Sequence, residues 1–118
     1  MGERRPVSEV LGTMQDISVL IQEAIDSQEP DGRQESIVSG LLDVNSYLGD
    51  FGANAMLQYP EIEKATAQIR MAQGCVQNGF ALPKEKAVSK FNAALQHIQE
   101  SRGLVEQAYQ NPAYQENL

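Results

Sequence analysis

The sequence predicts an all-α fold, an antiparallel up-down-up-down bundle of about four helices. Three observations predict it. Apolar residues recur at steps of three and four through most of the chain, the spacing that lines one face of a helix. Prolines and Asn-Gly or Asn-Pro pairs fall where those periodic stretches end. The 42% hydrophobic content is aliphatic and small, with no Trp and only 6% aromatic residues, which suits interdigitated helices better than a strand-rich sandwich.

Helix 1 is expected over about 7–28. Val7, Val10, Leu11, Met14, Ile17, Leu20, Ile21, Ala24 and Ile25 share one face; Pro6 suits its first turn and Pro30 forbids its continuation. Helix 2 is expected over 32–58. Asp31 and Gln34 match a capping box, and the stripe runs Ile37, Leu41, Val44, Leu48, Phe51 and Ala55. Gly49 and Gly52 lower helix propensity and make 49–53 a candidate break. Helix 3 is expected over 60–78, from Pro60 through the stripe Ile62, Ala65, Ile69, Ala72 and Val76 to a glycine-type end at Asn78-Gly79. A short connection through Phe80 and Leu82 leads to helix 4, over 83–110, with Val88, Phe91, Leu95, Ile98, Val105 and Tyr109 inward and Asn111-Pro112 closing it.

Short connections make neighbouring helices antiparallel. A chain of 118 residues supports one core, so residues 6–110 form a single domain, with 1–5 and 111–118 as flexible tails. Charge tests the topology. Helix 1 ends in Asp26 and Glu29, whereas helix 4 begins with Lys84, Lys86 and Lys90, each set opposed by its own helix dipole. Side by side they would compensate, so Asp26, Glu29 or Asp31 is expected to pair with those lysines.

The formal charge of -7 and the pI near 4.6 disfavour direct binding to nucleic acid and to anionic membrane surfaces. No apolar run reaches the length of a membrane span, and Arg4 and Arg5 are not followed by the apolar core of a signal peptide. Cys75 is the single cysteine, so no internal disulfide forms and a cytoplasmic location is the expectation.

No pattern of catalytic, cofactor-binding or metal-ligating residues stands out. His97 lacks the Glu-x-x-His spacing of bundle di-iron sites. Asp43, Asn45, Tyr47 and Asp50 depart from a calcium loop, with Leu48 where its glycine and Asn54 where its glutamate would be. Glu9, Asp16 and Glu23 recur every seven residues as a hydrated acidic face. Asn111, Pro112, Ala113 and Tyr114 spell a turn recognised by some adaptor domains, but here they read as a helix stop. Arg102 interrupts the helix 4 stripe. It is expected to snorkel at the core edge, with Asp50 or Glu61 as partner if buried.

Helix 3 departs most from a simple amphipathic pattern. Opposite its core stripe lie Ala67, Met71, Gly74, Cys75 and Asn78, all small, apolar or uncharged, where Lys and Glu are usual. This face is the candidate protein interface. The expected function is therefore a non-enzymatic interaction module acting as adaptor, chaperone-like protein or regulatory subunit, bound to another protein or to itself as a homodimer. Two alternatives are an acidic inhibitor mimicking nucleic acid, and a small-molecule-binding bundle with a pocket lined by Met14, Tyr47, Phe51 and Phe91.

Overall fold

Helical spacing becomes four rods in the computed structural model, which describes residues 7–27, 30–49 and 60–110. Helix α1 runs Val7–Asp26, α2 Gln34–Gly49, α3 Pro60–Ala81 and α4 Lys84–Gln110; a 3-10 turn, Pro30–Arg33, leads into α2. Each helix touches two others in the cyclic order α1, α2, α3, α4 and back to α1, and the most extensive contact joins α3 to α4.

The helix directions follow from contacts near opposite ends. Arg33 meets Glu23 at 3.1 Å while Gly40 meets Ile17, so α2 descends along α1. Ser101 and His97 reach Ala65 and Gln68, while Phe91 packs on Phe80, so α4 descends along α3. Lys84 lies beside Ser27 while Arg102 reaches Gln15 at 2.8 Å, which sets α4 antiparallel to α1. The described helices thus form an up-down-up-down arrangement.

A heptad phase runs through all four seams. Beside Tyr47 on α2 and Thr66 on α3, which are also buried, the seam positions are Val10, Met14, Ile17, Ile21 and Ala24 in α1; Ile37, Leu41, Val44 and Leu48 in α2; Ile62, Ala65, Ile69, Ala72, Val76 and Gly79 in α3; and Ala87, Phe91, Ala94, Ile98, Ser101, Val105 and Ala108 in α4. Their steps alternate between three and four residues, the period that keeps one seam facing its neighbours along the whole rod. The inward stripe of α4 is therefore narrower and smaller than the sequence suggests. Val88 and Leu95 sit at its edges, half-buried, while Ala87 and Ala94 take the central line. Tyr109, Phe51 and Ala55 lie outside the residues whose side chains are described.

The end of α3 corrects a second expectation. Asn78-Gly79 does not stop the helix, which continues to Ala81. Gly79 is buried in the seam, where a Cβ would stand 2.6 Å from Cε1 of Phe91, so its missing side chain admits the ring rather than a left-handed turn. Phe80 then meets Phe91 edge to face, with centroids 4.9 Å apart. Gly40 plays the same part in the other hairpin: a Cβ there would approach Ile17 Cγ1 to 2.7 Å. Pro83 lies one residue before α4 and its carbonyl accepts from the Lys86 and Ala87 amides, so the ring occupies the cap, where no amide is missed.

The charge expectation holds in place but not in partner. The start of α4 does lie beside the end of α1, yet the Lys84 ammonium donates to the Ser27 carbonyl, while Asp26 accepts from Gln22 at 3.5 Å. A cation beside the last carbonyls of a helix faces the negative end of the dipole. Glu29 and the Asp31 side chain lie outside the described residues, as do the tails and residues 50–58 of the helix expected over 32–58, which hold all of the candidate break but Gly49, the last residue of α2; α2 begins at Gln34 rather than 32.

Two glycine variants test the close approach of α3 and α4. In urea unfolding, Gly79→Ala is expected to lose about 1–2 kcal/mol, because overpacking against a buried ring outweighs the gain in helix propensity. Gly12→Ala, with open space around the added methyl, is expected to gain about 0.5–1 kcal/mol. Equal gains at both positions would mean that the seam is wider than described.

Candidate functional site

Alternating three- and four-residue steps that bury one side of α3 fix what its other side presents. Ala67, Met71, Gly74 and Asn78 follow the same steps on the outside, so they form one continuous stripe down the helix. Ala67 and Asn78 are exposed, Met71 is 50% exposed, and nothing lies within 4 Å of where a Gly74 Cβ would stand. Cys75 stands apart from the other four. It is half-buried against the core at the edge of the stripe, a free thiol facing the protein as much as solvent.

The face is less uniform than its small residues suggest. Glu63, Lys64 and Arg70 are exposed on the same outward side, flanking the stripe, and none of them makes an ion pair with another described residue. These charges escape a reading that lists only what is missing from a solvent face. The heptad phase of the buried seam would have found them, because positions 63, 64, 67, 70, 71 and 74 all fall on its far side.

The remaining candidates have structural explanations. His97 is half-buried between α3 and α4, where Nδ1 donates to Gln68 Oε1 at 2.6 Å, a hydrogen bond that ties the helix pair together. Ser101, fully buried, donates to the Ala65 carbonyl at 2.9 Å, so its hydroxyl is used in the seam rather than free for chemistry. Arg102 snorkels as expected: its side chain is 42% exposed, Nε meets Glu106 at 3.3 Å and Nη1 donates to Gln15. Asp50, the other partner considered, lies outside the described residues, and Glu61 does not take that role.

Asp43, Asn45 and Tyr47 lie on α2 and do not converge as cation ligands, since Tyr47 is 5% exposed in the core while Asp43 borders a shallow surface depression with Glu35, Ser36, Ser39 and Gly40. Asn45 Oδ1 is buried without a hydrogen-bond partner. Among the described residues no group of three or more His, Cys, Asp or Glu side chains is placed to hold a metal ion. On α1, Glu9, Asp16 and Glu23 are all exposed along one line, and Glu23 pairs with Arg33. Met14, Tyr47 and Phe91, named as candidate ligand-pocket residues, are packed core side chains, each 5% exposed or less; Phe51 and Asn111 to Tyr114 lie outside the described residues.

The α3–α4 seam that backs this face is testable through the buried Ser101 hydroxyl. Ser101→Ala removes a hydrogen bond but leaves the Ala65 carbonyl in its own helix, and is expected to cost about 0.5–1.5 kcal/mol by urea unfolding. Ser101→Leu adds volume to a line of small residues and is expected to cost about 1–3 kcal/mol. A Leu variant as stable as the Ala variant would show that the two helices do not approach closely here.

The chain matches no known family model, no curated protein and no solved structure.

Proposed function

We propose that this protein is a non-enzymatic protein–protein interaction module whose outer α3 face docks a protein partner, another chain or a second copy of its own. The reading is supported chiefly by one observation: a half-exposed Met71 set among Ala67, Gly74 and Asn78 on a helix whose opposite side is locked into the core. Methionine is a flexible, polarisable contact residue, and small neighbours let a partner backbone come close. A surface held on a packed helix loses little freedom on binding, which favours association.

The net charge of -7 supports a protein partner over nucleic acid or an anionic membrane. No described helix is long and apolar enough to cross a membrane. The unpaired Cys75 is at home in a reducing compartment such as the cytoplasm. The proposed role needs neither metal nor organic cofactor, and adaptor, chaperone-like protein or regulatory subunit are all compatible with it.

Affinity capture with quantitative mass spectrometry tests the face, using the wild type, Met71→Lys on α3 and Asn92→Lys, an exposed substitution on α4, as control. Retention of specific partners is expected to fall at least about tenfold with Met71→Lys, equivalent to 1.4 kcal/mol, and to survive Asn92→Lys. Undiminished retention by a folded Met71→Lys protein would remove α3 as the docking face.

A further inference from the structure

The charges beside the α3 stripe point to a specific occupant. Surface ion pairs along a helix join residues three or four apart, as Arg102 and Glu106 do on α4. Glu63 and Arg70 are seven apart, two turns of helix, so they cannot meet along their own rod. Both are exposed, neither pairs with another described residue, and small Ala67 lies between them, four residues after Glu63 and three before Arg70.

That layout is self-complementary. In an antiparallel helix pair, positions on one flank of the contact face the same flank of the other helix, and there the residues that meet lie at nearly equal distances on either side of the two-fold axis, within a residue or so that a long side chain spans. The bundle itself shows the rule where Gln68 and His97, flanking the antiparallel seam of α3 and α4, come within 2.6 Å. With the axis at Ala67, Ala67 meets its own copy and allows close approach. Glu63 then faces Arg70 on one flank, Lys64 faces Met71 on the other, and symmetry makes each contact twice.

We propose that α3 packs antiparallel against α3 of a second copy about a two-fold axis at Ala67, each Glu63 paired with Arg70 of the other copy. This rests on the reading of α3 as the docking face and deepens it by naming the partner. The face also suits an acidic chain: Glu63, Lys64 and Arg70 leave it locally non-acidic in a protein of net charge -7, so two copies repel least in this orientation. One helix face buries less than the roughly 1,200 Å² of a standard interface, so the dimer is a reversible, concentration-dependent one.

Sedimentation velocity over a concentration series, from roughly 10 μM to 1 mM, a range that covers the low-affinity end of the scale, reads the association directly. The wild type is expected to shift from monomer to dimer across the series. Glu63→Arg and Arg70→Glu each place like charges together twice and should weaken the dimer at least about tenfold, while Glu63→Arg combined with Arg70→Glu should restore it to within about threefold. Glu63 and Arg70 are both exposed, so circular dichroism is expected to be unchanged throughout. A wild type that stays monomeric, single variants that still dimerise, or a folded double variant that fails to recover would each overturn the proposal. A monomer that still loses its captured partners on Met71→Lys would retire only the second copy and leave the docking face standing.

Discussion

Close approach of backbones across seams of small residues is the constraint on which the rest of the bundle depends. Heptad phase alone brings four apolar stripes together, but it does not set their separation. Here the separation is set by what is missing: side chains at Gly40 and Gly79, and bulk at Ala65, Ala72, Ala87 and Ala94. With the rods held near one another, Ser101 can reach a backbone carbonyl on the neighbouring helix, and Phe91 can fill the space over Gly79. Dispersion contacts in such a seam are individually weak and collectively large, which is why a few small residues matter as much as the large ones they admit.

The same constraint shapes the exterior. Because α3 is held on one side by α2 and α4, its orientation about its own axis is fixed, and so is the stripe it presents. A helix free to roll would offer no defined surface. The polar contacts Gln68 to His97 and Ser101 to Ala65 sit on the same pair of helices and oppose sliding as well as rolling. The outward stripe of α3 is thus a by-product of the internal seam, read out on the far side of one rod.

Much of this is legible in the sequence, and each departure has its own physical cause. All four helices, their antiparallel order and the α1 and α3 stripes follow from the spacing of apolar residues. The larger apolar side chains Val88 and Leu95 dominate the α4 sequence pattern, whereas the phase of the heptad is carried by the small Ala87 and Ala94. Asn78-Gly79 resembled a helix end because glycine has two uses, and only the presence of Phe91 across the seam distinguishes close approach from a left-handed turn. Lys84 meets the Ser27 carbonyl instead of Asp26, since a count of formal charges overlooks the backbone acceptors at a helix terminus. At the candidate site the small stripe was visible from composition, while Glu63, Lys64 and Arg70 became part of it only once the buried side fixed the angle around the rod.

The turn between α3 and α4 has a consequence for how the chain finds its shape. Phe80 and Phe91 touch with only a short segment between them, whereas Gln15 and Arg102 close most of the polymer, 87 residues apart. Loop-closure entropy rises with the logarithm of that length, so the second contact costs roughly 2 kcal/mol more to bring together than the first. The aromatic pair is therefore among the less costly described tertiary contacts for the unfolded chain to sample, and the terminal helices are joined at the far end of the same scale.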